Sequence, residues 1–220
     1  MFDTSFFFHL FPIMFRYIGV TLGISLASLV LSLVIAIVIA TAYYLNIPLL
    51  RGLCAVWVSV FRGTPLLAQL FWLCYGLPQL IVPLQRVSVM TLIVWGVAFN
   101  ASSYMSETLR GALSSVNKGQ MEASLACGMT RMQGFWHIVF PQAARVAVPG
   151  LSNNFVDIIK QSSLAFTLGV TEIMAVARME GSTNLKFLES FTAVMVVYWL
   201  IVTFFNYVQK LLEKWLSRMY

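Results

Sequence analysis

From Ile18 to Tyr44 the chain carries no charged residue. A helix needs about 20 apolar residues to cross the ~30 Å hydrocarbon core of a bilayer, and this run exceeds that length. The rest of the composition points the same way. Apolar residues make up 60% of the 220 and charged residues 10%, where a soluble domain carries roughly 25% charged residues. Mean hydropathy is +0.84. So few charges cannot cover the surface of a water-soluble protein of this size. That excludes an ordinary cytosolic enzyme, a disordered chain and a secreted disulfide scaffold, and leaves an integral membrane protein. Cys54, Cys74 and Cys127 follow no metal-ligand spacing, and the first two lie in apolar runs as small buried thiols do. No basic segment with a small-residue cleavage site precedes the first apolar run, so an uncleaved first span is expected.

Periodicity and apolar length predict an all-α membrane protein, one domain over 1–220, with five spans at about 18–44, 52–77, 87–106, 143–168 and 188–208. Arg62-Gly63-Thr64-Pro65 interrupts the second span. The fourth is weaker and contains Asp157 and Lys160. Residues 2–17, rich in Phe, read as an interfacial lead-in. An odd number of spans puts the termini on opposite sides. Arg51, Arg110, Lys118, Arg131, Arg145, Lys210, Lys214 and Arg218 then fall on one side, against Arg16, Arg86, Arg178 and Lys186 on the other. The excess predicts an outside N-terminus, a cytoplasmic C-terminus and a cytoplasmic segment over 107–142. The net charge of +6 is therefore read as placement against a membrane, with no nucleic-acid partner.

Within the cytoplasmic segment, local chemistry predicts a helix from Lys118 to about Cys127. Asn117 and Gln120 form a capping pair at its start, and Gly128 ends it in a left-handed conformation. Thr130 with Gln133 opens a second helix that Pro141 would interrupt. Met121, Leu125 and Met129 make an apolar stripe that needs burial against the spans or in a partner's groove. Inside the spans, polar groups are expensive and mark functional sites. Pro65 would free the carbonyl of Phe61, a break tolerated where backbone lines a cavity. Asn100, Ser103 and Tyr104 lie in the third span. In the fourth, residues 153, 157, 160, 161 and 164 share one helical face. Asp157, the one acidic residue placed deep inside a span, either pairs with Lys160 or meets a ligand. There is no Gly-x-x-x-x-Gly-Lys-[Ser/Thr] loop and no His-Glu-x-x-His. His9 and His137 are isolated in sequence, and no metal site is expected.

Glu122-Ala123-Ser124-x3-Gly128, then nine residues, then Ile138-x-x-Pro141, resembles the coupling motif of ABC-importer membrane subunits. The resemblance continues through Arg62-Gly63-Thr64-Pro65-Leu66, Ser103-Tyr104-Met105-Ser106-Glu107, Arg110-Gly111, Pro141-Gln142-Ala143-Ala144-Arg145 and Lys160-x-Ser162-Ser163-Leu164. Together these resemble the polar amino-acid permeases of the histidine, glutamine, arginine and opine class. The sequence departs from that pattern at Ser124, where Ala is usual, at Cys127 and at Gln161. The resemblance implies a type I importer permease in the bacterial cytoplasmic (inner) membrane. Its partners would be a second copy or a similar permease, an ATPase dimer, an external substrate-binding protein, membrane lipid and a polar amino acid. ATP and magnesium would belong to the ATPase, and this chain would bind no cofactor and catalyse nothing.

By the same resemblance, Glu122, Ala123, Ser124, Gly128, Ile138 and Pro141 would couple to the ATPase. The substrate path would draw on Arg62, Thr64, Pro65, Gln69, Asn100, Ser103, Tyr104, Asn153, Asp157, Lys160, Gln161 and Ser162. Asp157 would receive the ammonium if it does not merely neutralise Lys160. Lys160 or Thr64 would take the carboxylate. A cystine importer of the same class is the alternative within the family. An ion-coupled secondary transporter fits less well, because no repeated pair of broken spans is present. An intramembrane enzyme would lack a nucleophile–base or metal set.

Overall fold

The computed structural model describes residues 2–217, with side chains through Lys214. Arg218, counted above among the basic residues, lies outside the described residues. The secondary structure is entirely helical among those residues. Every backbone amide in a bilayer must find its partner within the protein, which helices achieve within one segment. The order is α1 (Thr4–Phe15), α2 (Ile18–Tyr44), α3 (Pro48–Gly63), α4 (Leu66–Phe71), α5 (Leu77–Leu80), α6 (Val89–Ser115), α7 (Lys118–Ala126), α8 (Arg131–Gly134), α9 (Phe140–Gln161), α10 (Ile173–Asn184) and α11 (Phe187–Ser217). A π-turn over Trp72–Gly76 joins α4 to α5, and another over Phe135–Val139 joins α8 to α9.

Three helices are long and apolar enough to cross a membrane: Ile18–Tyr44, Val89–Ser115 and Phe187–Lys214. The expected second span is not one straight crossing. Its two limbs, Pro48–Gly63 and Leu66–Leu80, meet at 110°, and they make a fourth crossing only if counted together. The expected fourth span corresponds to α9. It is 22 residues long, but Arg145, Pro149, Asp157 and Lys160 keep it out of the apolar set.

α6 is the central helix, packed against α2, α3, α4 and α9. Its seam with α2 is made by small residues. Ser25, Ser28, Ser32, Ala36 and Ala40 are all buried, one to two turns apart on one face. Small side chains let the two backbones approach closely, as membrane helices require. Ser28 Oγ donates to the Val94 carbonyl of α6 at 3.2 Å, and Ser32 Oγ reaches the Met105 sulfur at 3.2 Å. The opposite face of α2 presents Leu26, Val30, Val34 and Val38, all exposed and spaced by four. That apolar stripe suits lipid.

A second cluster forms from α1, α10 and α11, with Leu10, Met14, Ile173, Ala177, Ala193 and Val197 at its centre. Residues 2–17 are therefore more than an interfacial lead-in, since one face of α1 is part of the core. A polar clasp holds it there. The Asp3 amide donates to Glu189 Oε1 at 2.9 Å, and Lys186 Nζ meets Asp3 Oδ2 at 2.6 Å. The bond from Lys186, with one from the Phe6 amide, holds the Asp3 carboxyl below its ordinary value. The clasp therefore persists at neutral pH and loosens only as pH falls through that lowered value.

Sequence reasoning missed the most buried carboxylate. Glu172 is fully enclosed and caps α10, accepting from the Met174 and Ala175 amides at 2.9 Å each. Tyr198 of α11 donates its hydroxyl to the same carboxylate at 2.9 Å. Tyr198→Phe removes that donor and is expected to lower stability by about 1–3 kcal/mol. Thermal unfolding of the solubilised protein checks this. A midpoint equal to the parent's would mean that the hydroxyl does not support the carboxylate.

Candidate coupling surface and substrate path

The segment 117–142 folds by its own hydrogen bonds. Asn117 caps α7 by accepting from the Gly119 amide at 2.8 Å. Gln120 is not its capping partner, because its side chain accepts from Gln142 Nε2 of α9 at 3.2 Å. At the other end the Met129 amide donates to the Ser124 carbonyl and the Gly128 amide to that of Leu125. This double closure needs a left-handed residue, and Gly128 has φ +83°. Thr130 and Gln133 form the expected reciprocal capping box.

One expectation for the second helix is corrected. Pro141 does not interrupt the second helix. The π-turn over Phe135–Val139, with Phe135 and Val139 buried, carries the chain into α9 with the proline in its first turn. Such bulges re-register the ladder where an ordinary turn would break. The Met121–Leu125–Met129 stripe is divided: Met121 packs against the main core, while Leu125 is exposed and open to a partner's groove. The buried residue is Ser124, whose hydroxyl bonds back to the Met121 carbonyl at 2.7 Å. It sits against Gly134, where an added Cβ would overlap Ser124 Oγ and lie 3.0 Å from the Met121 sulfur. α7 is thus seated in a recess that only a glycine leaves open. Glu122 and Ala123 stay exposed. Glu122 lies in the second turn, not in the first as a charge–dipole argument would prefer. Ile138 is half-buried and Pro141 exposed; both line an open polar cleft that also includes Gln120, His137 and Arg145.

At the break in the second span Pro65 offers no N–H to the Phe61 carbonyl, and the extended Thr64 leaves its own carbonyl outside the helix. Gln69 Nε2 donates to the Phe61 carbonyl, the Thr64 carbonyl and Thr64 Oγ1 at 3.0, 3.0 and 2.8 Å. Asn100 Nδ2 of α6 donates to the Phe61 carbonyl at 2.9 Å and to Gln69 Oε1 at 3.1 Å. Thr64, Gln69 and Asn100 do come together, but their polar atoms hold the bend. Ser103 Oγ and Ser162 Oγ are turned onto the carbonyls of Asn100 and Ile159 at 2.6 and 2.7 Å. Beside the bend lies a cavity of about 490 Å³ walled by Trp57, Phe61, Trp72 and Phe99 among others. Its wall is nearly all carbon, which would leave the hydration of a zwitterion unreplaced.

The exposed polar groups form two sets. Arg62 lies over the Tyr104 ring at 5.4 Å and 3.9 Å from Glu107, which also binds Arg110 at 2.6 Å. Glu107 was quoted above only as part of a motif. Its signal was the run Tyr104, Glu107, Arg110 at three-residue spacing, one face of a helix. On α9, Asn153, Asp157 and Lys160 are exposed while Gln161 is half-buried. Asp157 and Lys160 pair at 2.6 Å, with both side chains 57% exposed, so Asp157 is not enclosed. Asn154 accepts from Thr108 of α6 at 3.1 Å, tying the second set to the helix that carries the first. Among the described residues no group of His, Cys, Asp and Glu could hold a metal.

A long-helix bundle with a broken span and a short helix seated outside it is the architecture of an importer permease. Residues 32–218 match the family described as binding-protein-dependent transport system inner membrane component. The chain belongs to that family, as a multi-pass permease subunit and not an enzyme. It is 42% identical to a probable amino-acid ABC transporter permease of Vibrio harveyi, across 100% of this chain and 98% of the relative. It is 36% identical to an L-cystine transport system permease of Bacillus subtilis, across 81% and 76%. The fold is that of a chain in the crystal structure of an amino acid ABC transporter, with a TM-score of 0.86, 24% identity and coverage of 97% and 99%.

Asn100→Leu keeps the volume of the side chain but strips two donated bonds from the bend. We expect a loss of about 1–3 kcal/mol for the orphaned buried groups. Thermal unfolding and uptake should fall together. A variant with parental stability would show that Gln69 alone suffices.

Proposed function

We propose that the chain is the permease of an ABC importer for a polar amino acid, acting as one domain and as one half of a membrane dimer with a second copy or a similar subunit. An external binding protein would deliver the substrate, and a pair of ATPase subunits holding ATP and magnesium would dock on the cytoplasmic face. In this reading the chain crosses five times, counting the bent pair and α9, with the N-terminus outside and the C-terminus inside. The amino-acid class is supported by the relatives over their full length. Cystine is the second reading, favoured by the Bacillus subtilis L-cystine relative.

The observation that carries the mechanism is the seat of α7. Its buried side, Ser124, rests on Gly134, while Glu122 and Ala123 face outward. From Arg131 the backbone runs through the π-turn to Gln161 without leaving helix. A push on α7 would therefore act on the same rigid element that bears Asn153, Asp157 and Lys160. Movement of α9 against α6 would open the polar face to one side and then the other. Substrate would meet the exposed polar groups Arg62, Tyr104, Asp157 and Lys160. Thr64, Pro65, Gln69, Asn100, Ser103, Gln161 and Ser162 would shape the path behind them.

Glu122→Lys reverses an exposed charge on α7. Gly128→Asp forces a side chain into a left-handed turn that L-residues disfavour. Both are expected to abolish uptake while the subunit stays in the membrane at parental level. Normal uptake by both would remove α7 from the coupling role. For the path, Asp157→Asn should weaken apparent substrate affinity about ten- to a hundredfold, the worth of a charge-assisted hydrogen bond, with basal ATPase activity of the complex retained. If Asp157 serves only Lys160, an exposed pair worth about 0–1 kcal/mol, the single variant keeps both its folding and its substrate affinity. Substrate-stimulated ATPase assays with a panel of amino acids separate these outcomes.

A further inference from the structure

Where α2 ends, the chain leaves a polar cleft of about 360 Å³ between α2, α3 and α6. Two guanidinium groups line it, Arg51 from the first turn of α3 and Arg110 from α6, with Tyr43, Tyr44 and Asn46 beside them. Arg51 Nη1 donates to Asn46 Oδ1 at 2.6 Å, and its cation lies 6.0 Å from the Tyr43 ring. Arg110 gives Nε and Nη2 to Glu107, which is not part of the wall. None of the residues lining the cleft is acidic. α3 opens at this point with Pro48 in its first turn and no side chain capping its amides, which adds positive potential. Its balance of charge suits an anion.

Depth identifies the anion. α2 has 27 residues, which at 1.5 Å each span ~40 Å against a hydrocarbon core of ~30 Å. With α2 centred on that core, Tyr43 and Tyr44 at its last turn would lie past the acyl chains, at the headgroup level where tyrosines gather. Basic pockets between spans on the cytoplasmic side are suited to anionic lipid headgroups.

We propose that this cleft holds the phosphate of an anionic phospholipid, its charge lying between Arg51 and Arg110 at the start of α3. The bound headgroup would fix the α2–α3 connection against α6 and so brace the first limb of the broken span. The assignment to the inner leaflet rests on the orientation proposed above. The test does not depend on leaflet, so its failure would leave the orientation standing.

The complete complex, permease with ATPase subunits, is placed in nanodiscs of phosphatidylcholine with a minority of phosphatidylglycerol bearing the same acyl chains. Lipids kept by the protein are then weighed by native mass spectrometry. The parent should retain phosphatidylglycerol in preference. Arg51→Gln should reduce that preference about fivefold, the value of one basic group near a charged surface, while Arg51→Lys keeps most of it. Added inorganic phosphate should not displace the lipid. An unchanged preference in Arg51→Gln overturns the proposal. Displacement by inorganic phosphate overturns it in favour of a free-anion site. A preference seen only without the ATPase subunits overturns it in favour of protein docking. If Arg51→Gln fails to assemble, Ser114→Asp puts a negative charge on the wall without touching the Arg51–Asn46 bond. It should abolish the preference, and an unchanged preference there is equally fatal.

Discussion

A peptide group within a bilayer has no water to turn to, and the bend at Arg62–Pro65 can exist only because two amide side chains answer for the missing helix bonds. Gln69 and Asn100 serve the Phe61 and Thr64 carbonyls. Without them the second span would have to straighten or leave the hydrocarbon. With them, α3 and the α4–α5 limb diverge by 110° while Asn100 ties the bend to the central helix. Arg62 is held at the corner beside Tyr104 and Glu107. A charged residue thus reaches an exposed position next to a span without burying its charge.

The second constraint is mechanical. Small residues on α2 bring it close to α6, and the Thr108–Asn154 bond joins α6 to α9. α8, the π-turn and α9 form one helical element, and α7 rests on its first turn at Gly134. The exposed face of α7 and the polar face of α9 are therefore two ends of one body. The α1–α10–α11 cluster has its own core around the buried Glu172, and α11 packs along α9, with the Phe155 and Phe205 rings 5.1 Å apart.

What the sequence disclosed and what it hid divide along the range of the interactions. The caps at Asn117, Thr130 and Gly128, and the Asp157–Lys160 pair, are bonds between near neighbours, so residue type and spacing sufficed. The apolar spans were readable because the bilayer demands length. The long-range bonds were not readable. Asn100 and Gln69 are 31 residues apart, and Tyr198 and Glu172 are 26 apart; the first two, as polar residues in spans, looked like ligand groups, and Glu172, outside the expected spans, was not singled out. The burial of Ser124 on α7 was hidden because it depends on a recess at Gly134 in another helix. Pro141 looked like a breaker because a π-turn leaves no signature in residue type, and packing of Phe135 and Val139 holds it.

The central claim is that α7 is the cytoplasmic docking element for an ATPase. Leu125 is exposed on it, and Cys127→Ser removes the one exposed native thiol among the described residues. A single cysteine at position 125 in that background, in the assembled complex, measures the claim directly. The account predicts cross-linking to the ATPase subunit by a thiol–amine bifunctional reagent, with a yield that changes on ATP binding, and labelling of the free permease from the cytoplasmic side only. Labelling from the outer face alone, with no cross-link under any nucleotide condition, would contradict it.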